Sequence, residues 1–431
     1  MRVRPTFLAA CMLVFAATSI GRPHAVFAAE EGADTSAADE TPNAASLSEV
    51  VVTAEKRSER LQDVPVPVSA ITTAGLLENN QTRMQDYFAQ IPGVDFTSNV
   101  RGSPVIAIRG LVTGTDLVNP TVGIVVDDVP FGSSTGLGGG DTTPEIDPSD
   151  LERIEVLRGP QGTLYGASSL GGLIKYVTRA PSTAGVSGTV QVGMSGVHNG
   201  AEPGYNVRGS VNLPVSDALA VLMSGYSHQD PGYIDNPSLG LKGVNEAHSS
   251  GGRLSAAWTP TDSLSVRLSA LFQRTQIDGA GHIEVDPSLG DLQQNDTRHT
   301  GGVDKKLQFY DLTVRDKLGA ADLTSVTGYT VNHLVDSVDY SAGFGFLSSY
   351  TDQAFGIPVN TTGETMLDNN QTHRFSQELR LAMPIGTRID WLAGAFYTNE
   401  RSPFTQTVLA SEHDTGASVG DWADLRWRVT Y

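Results

Sequence analysis

Asp127 and Asp128 are the residues whose type and spacing most invite catalysis, because adjacent carboxylates can split their pKa values and divide acid and base roles. Neighbours on a strand point to opposite faces, however, and this pair stands just before Pro130, so a turn role is expected. The enzyme alternative is a secreted β-rich carbohydrate hydrolase, which needs two carboxylates facing one cleft roughly 5–10 Å apart. The run RGPQGTLYG at 158–166 has the glycines of a phosphate cradle. It lacks a following Gly-Lys-Ser/Thr, and no dinucleotide fingerprint stands elsewhere. His198, His228, His248, His282, His299, His333, His373 and His413 are scattered without paired ligand spacing, so they read as loop or lumen residues and no metal site is expected. No nucleophile elbow, zinc-protease helix or kinase set occurs. The chain is expected to be no enzyme and to need no cofactor.

Composition points to strands and export. The chain has 431 residues, 46 of them glycine, with only 18% charged. Arg2 and Arg4 precede an apolar stretch from Phe7 to Ile20, and Val26-Phe27-Ala28 resembles a cleavage site, so residues 1–28 read as a signal peptide. That stretch is too short to span a membrane as a helix. Leu8-Ala9-Ala10-Cys11 offers a rival lipoprotein reading, although almost no apolar segment precedes Cys11. Cys11 is the only cysteine, so disulfide and thiolate chemistry are not expected after cleavage. The formal net charge of −19 becomes more negative once Arg2, Arg4 and Arg22 are removed, which argues against nucleic acid as a partner. No later run is apolar enough for a transmembrane helix; a membrane span would have to be a closed barrel.

Residues 29–63 read as a flexible N-terminus that contains a short β-prone segment, Ser48, Glu49, Val50, Val51, Val52, Thr53 and Ala54. Such a segment could add to the sheet edge of a partner, or serve as an ordinary first strand. Residues 64–182 read as a compact α/β unit. Strands are expected at 64–71, 105–108, 122–126, 153–157 and 173–178, a helix over 82–90 stopped by Pro92-Gly93, and a short helical turn with Asp147 as N-cap and Pro148 first. Beyond about 183 the pattern becomes sustained two-residue alternation, as in Leu264, Val266, Leu268, Ala270 and Phe272. About ten such strands follow, near 187–196, 205–213, 219–227, 251–259, 264–272, 306–315, 322–334, 373–383, 389–399 and 421–431. Short connections alternate with long ones, as in an outer-membrane barrel with short periplasmic turns and long external loops.

On these residues the sequence resembles the TonB-dependent outer-membrane receptors, from about Leu47 onward. SEVVVTA at 48–54 resembles the TonB box. IPGV at 91–94, VIAIRG at 105–110 and VGIVVDDVP at 122–130 resemble plug segments, and LERIEVLRGPQGTLYGASSLGGLIKYVTRAP at 151–181 is the strongest match. FSQELRLA at 375–382 resembles a barrel strand. The resemblance implies a mixed α/β plug followed by an antiparallel transmembrane β-barrel, residues 183–431, in the outer membrane of a Gram-negative bacterium. It implies active uptake of a scarce large ligand, most often a ferric siderophore, powered by TonB and its inner-membrane complex. Residues 48–54 would contact TonB. Arg109, Gly110, Arg153, Arg158, Gly159, Pro160, Gly162, Tyr165 and Gly166 would form the plug motif, with Arg109 and Arg153 pairing with carboxylates. Asn99, Arg101, Thr113, Asp116 and Asn119, on polar apical loops, would meet the ligand. Glycan or cobalamin are alternative ligands.

Family barrels have about 22 strands, and barrel diameter grows with strand number. About ten strands cannot surround a plug of this size, so a truncated or partial receptor is expected, even though the alternating Leu425, Trp427, Val429 and Tyr431 end the chain as many barrels end. A non-transporting remnant or ligand trap is the second reading.

Overall fold

In a computed structural model, the described residues are 51–57, 59–79, 81, 83–98, 104–112, 121–133, 144–341, 362–386 and 389–430. The signal segment, Ser48 to Val50, and the five expected ligand contacts Asn99, Arg101, Thr113, Asp116 and Asn119 lie outside them.

The first part of the chain alternates short strands with short helices. In order these are β1 (Val51–Val52), β2 (Glu59–Arg60), β3 (Val68–Thr72), α1 (Thr73–Glu78), α2 (Met84–Phe88), β4 (Val94–Ser98), β5 (Pro104–Ile108), β6 (Val122–Val126), β7 (Val129–Phe131), β8 (Leu151–Arg158), α3 (Gly162–Tyr165) and β9 (Gly172–Thr178). Five of the strands form one mixed sheet in the order β3-β8-β9-β6-β7, in which β6 and β9 are parallel. β8 and β9 sit centrally and are buried on both faces, which is why IEVL and LIKYV read as nearly continuous apolar runs. One face packs Ile154, Val156, Ile174 and Tyr176 against Leu76, Met84, Tyr87 and Phe88 of α1 and α2. The expected turn at Asp147 is a single 3-10 turn, and the Asp147 side chain accepts from Ser149 N–H at 2.9 Å. The expected strand at 64–71 starts later, at Val68, because Pro65 and Pro67 cannot donate to a ladder.

The remainder is one antiparallel meander of ten strands in sequence order: β10 (Ser187–Ser195), β11 (Gly204–Ser216), β12 (Leu219–Asp230), β13 (Ala247–Trp258), β14 (Leu264–Ile277), β15 (Val303–Leu318), β16 (Ala321–Asp339), β17 (Thr362–Ile385), β18 (Ile389–Glu412) and β19 (Ser418–Thr430). β10 and β19 are its edges, so the sheet is open. β17 and β18 each run 24 residues, well beyond the expected 373–383 and 389–399. Their extra length pairs Thr362–Asn370 with Phe404–Glu412 beyond the apolar band. Polar residues there occupy both faces, which hides the two-residue period.

The burial of this sheet is inverted relative to a soluble one. Arg208, Ser210, Asn212, Arg253, Ser255, Ser269 and Thr313 are buried, whereas Leu254, Leu268 and Phe272 are about half exposed at 52%, 55% and 49%. An apolar outer face around a polar inner face is costly in water and favourable in lipid. The inner face carries the first unit. Leu271, Leu307, Phe309 and Val326 of β14, β15 and β16 join the apolar cluster of α1, α2 and the mixed sheet. The β6–β7 hairpin packs on wall backbone; a Cβ at Gly328 would collide with Val129.

Candidate functional site

The candidate site lies where the β-prone segment at 51–54, the mixed sheet and the wall meet. Instead of forming part of a flexible lead-in, Val51–Ala54 is seated on the second face of the mixed sheet. Alternation decides the contacts: Val52 and Ala54 are buried against Val125, Leu157 and Leu173, while Val51 is exposed. Glu155, wholly buried on the same face of β8, accepts from Thr53 N–H at 2.9 Å and from Arg153 Nε at 2.8 Å. Tyr165 Oη donates to Ala54 O at 2.8 Å. Burial pushes the Tyr165 phenol up, with Asp128 and Glu155 adding to the shift, so it stays a donor.

A ring of charges joins this segment to the wall. Lys175 Nζ lies 3.4 Å from Thr53 O and 2.8 Å from Asp128 Oδ1. Asp128 Oδ2 accepts from Arg380 Nη2 of β17 at 2.6 Å. Glu378, two residues before Arg380 and so on the same face, takes Lys56 Nζ at 2.6 Å. Lys56 also stands 5.1 Å over the Tyr165 ring, and its N–H returns to Thr53 O at 3.2 Å. Burial alone would raise Asp128, but Lys175 and Arg380 overcome it and hold the carboxyl well below the usual range. Burial lowers the Lys56 ammonium despite Glu378. Thr53, Lys56, Asp128, Lys175 and Arg380 border an open-sided cavity of about 680 Å³ that Asp322, Met383 and Asp390 also line, beside the short turns.

Asp127 and Asp128 form the two-residue turn between β6 and β7, with Asp127 at φ 55°, a left-handed position that Asp tolerates. Asp127 accepts from Thr178 N–H at 3.0 Å and pairs with Arg267 of β14 at 2.8 Å. Two more plug acids meet wall arginines: Asp147 with Arg208 at 3.4 Å and Asp150 with Arg253 at 3.5 Å. Of the two arginines expected to pair with carboxylates, Arg153 does so within the plug, with Glu155 at 2.8 Å and Glu152 at 2.5 Å; Arg208, Arg253, Arg267 and Arg380 are not singled out by the sequence. Their signal was present: each stands on the inward period of its strand, among small and polar residues.

The expected plug-motif residues fall into two groups. Arg153 and Tyr165 serve the seated segment, as described. Arg158 Nη1 donates to Pro92 O at 3.2 Å. Gly159 holds φ 103° where N–H bonds to Gly171 O at 2.8 Å, and the guanidinium of Arg109 lies against it. Arg109 and Gly110 make a left-handed turn after β5, Gly162 opens α3, Gly166 ends it, and Pro160 is exposed.

A family model for the TonB-dependent Receptor Plug Domain matches residues 60–173. The pesticin receptor of Yersinia pestis is 30% identical over 219 residues, 50% of this chain and 30% of that protein. The iron-regulated outer membrane virulence protein of Vibrio cholerae is 31% identical over 42% of this chain and 27% of its own length. The ferric yersiniabactin uptake receptor FyuA from Yersinia pestis superposes with a TM-score of 0.68 at 18% identity, covering 85% of this chain and 52% of that one. This chain belongs to the TonB-dependent outer-membrane receptors. It is a plug followed by ten strands of a receptor barrel, and its place is the outer membrane of a Gram-negative bacterium. The chain spans under a third of the curated relatives it matches and about half of the solved receptor. Family and fold are those of receptors and transporters rather than enzymes, so the paired aspartates are a structural turn and clamp.

Proposed function

We propose that this receptor takes up a scarce iron chelate, a ferric siderophore, across the outer membrane, and that Ser48–Ala54 is the segment TonB grasps. The observation that carries the proposal is the seating of Val51–Ala54 at the short-turn end of the sheet, the end that faces the periplasm in outer-membrane barrels. A strand-forming segment held by Glu155, Tyr165 and Lys175 can be handed to the sheet edge of a partner. Pulling on it would strain the same charge ring that ties Asp128 to Arg380 on the wall. Support for iron as cargo comes from the iron-regulated protein and the ferric yersiniabactin receptor among the similar proteins. Asn99, Arg101, Thr113, Asp116 and Asn119, which lie outside the described residues, are proposed as ligand contacts.

Cys11 lies in the expected signal peptide, so a single introduced cysteine would be unique in the exported chain. Val51→Cys should form a disulfide cross-link to TonB carrying a cysteine in its periplasmic domain, more strongly in iron-starved cells supplied with ferric siderophore. Iron-55 uptake should fall when Val52→Pro removes the strand. Absence of any cross-link from positions 48 to 54, with the protein present in the outer membrane, would overturn the TonB assignment. Uptake unchanged by deletion of the gene would overturn the cargo assignment.

A further inference from the structure

The long connection between β14 and β15, residues 278–302, folds back on itself and ties to its neighbours. Glu284 N–H donates to Gln293 O at 3.0 Å, Asn236 Nδ2 donates to Asp296 O at 2.8 Å, and Thr297 N–H donates to Asp339 Oδ2 at 2.5 Å. His413, from the β18–β19 connection, meets Asn295 O at 3.0 Å. These bonds bring His282, Glu284 and Asp296 together, with one ligating atom of each within 4.8 Å of the others. His282 and Glu284 are two residues apart, which is the spacing that puts both on one side of an extended segment.

An ion pair between His282 Nε2 and Asp296 Oδ1, at 3.3 Å, accounts for only part of this arrangement. Asp296 is only 6% exposed, and its second carboxylate oxygen has no hydrogen-bond partner among the described residues. The same is true of Oε1 of Gln294, 2% exposed, which lines a cavity of about 370 Å³ together with Asp296. Buried acceptors are rarely left without a donor or a cation. An acceptor of this kind on Asp296, beside an imidazole whose Nδ1 is likewise buried without a partner among the described residues and beside a second carboxylate, is the composition of a cation site.

We propose that His282, Glu284 and Asp296 bind a divalent first-row transition ion. One imidazole nitrogen and two carboxylates, with no thiolate, suit zinc, manganese or ferrous iron rather than a soft ion such as cuprous copper. Three protein ligands leave at least one position open to water or an outside donor. The ion would staple the β14–β15 connection into the place where Asp339 and His413 already hold it. The proposal is independent of TonB and of the cargo.

The test uses the full chain refolded in detergent and stripped with chelator, with cobalt(II) as the probe. One equivalent should bind at micromolar concentration or below, give visible d–d bands, and be displaced by zinc. His282→Ala and Glu284→Gln should each weaken binding by at least roughly tenfold, while His198→Ala, on another connection, should not. Zinc should raise the thermal midpoint of the parent chain and leave that of Glu284→Gln unchanged. The far-ultraviolet circular dichroism and protease resistance of each variant check its fold, and Glu284→Gln decides if His282→Ala does not fold. No saturable band, or bands unaltered in both variants, would overturn the site.

Discussion

In the plug sheet the residues buried at strand period are Ile154, Val156, Ile174 and Tyr176; in the ten-stranded sheet they are Arg208, Ser210, Arg253, Ser255 and Thr313. The two regions share one backbone geometry and obey opposite rules of burial. The plug holds itself together as a soluble domain does, by apolar area covered with helices on one face and with Val52 and Ala54 on the other. The wall leaves its apolar side chains outward and presents polar ones to the plug. Between them the adhesive is mixed: one apolar patch around Leu271, Leu307 and Phe309, and four plug aspartates each facing a wall arginine. Buried ion pairs contribute little net stability against apolar replacements of the same shape, but removing one partner is expensive. Such an interface is specific in position and can part in steps, because each pair breaks separately.

The largest effect should come from breaking one of these pairs on one side only. Asp128→Ala would leave Lys175 and Arg380 buried without their shared carboxylate. Loss of a buried partner costs about 3–5 kcal/mol, which should appear as protease cleavage of the plug at lower urea while the β-sheet circular dichroism signal is kept. If plug and wall unfold together at an unchanged midpoint, the charges are incidental to plug retention.

Next in size is a test of the inverted face. Leu268→Arg places a charge on the outward side of β14, and a charge facing lipid at mid-membrane costs about 2–4 kcal/mol. The variant should unfold earlier in bilayers. A water-facing Leu268 would tolerate arginine with almost no change, and that outcome would break the comparison.

Acid should weaken the charge ring through Asp128. Its folded carboxyl is held well below the unfolded value of about 3.9. The native state therefore binds fewer protons, so the stabilisation is full above about pH 4 and is lost as pH falls below it. Thermal midpoints at successively lower pH should drop in the parent chain and drop less steeply in Asp128→Ala.

How much of this was legible depends on what each residue has to satisfy. Periodicity alone revealed the ten wall strands, because lipid on one side imposes alternation over the whole membrane depth. It failed at the ends of β17 and β18, where both faces are polar and the pattern has no contrast. The glycine-rich 151–181 segment was legible because left-handed turns such as Gly159 restrict residue choice. Arg380 and Asp128 were not legible as a pair: they are 252 positions apart, and only the docking of plug on wall joins them. His282, Glu284 and Asp296 were missed for the same reason, since the third member arrives by the folding back of a loop. The seating of Val51–Ala54 was half visible; alternation marks Val52 and Ala54 as a buried face, but what they cover is set by Leu157 and Leu173.

The finest distinction is between a segment that is part of the plug and one that is merely parked on it. Tyr165→Phe keeps the ring under Lys56 and removes only the hydroxyl that donates to Ala54 O at 2.8 Å. A single neutral hydrogen bond contributes about 0.5–1.5 kcal/mol, so the plug core should be unaffected and the segment should loosen. A spin label at position 51, on the exposed side chain of β1, should then show a several-fold larger mobile fraction without ligand. Asp128→Ala should move that fraction as well, because Lys175 bonds both Asp128 and Thr53 O. If Tyr165→Phe instead lowers the unfolding midpoint of the whole plug and leaves the label immobile, Val51–Ala54 is an integral strand of the fold. The segment would then be available to a partner only after the mixed sheet itself had opened.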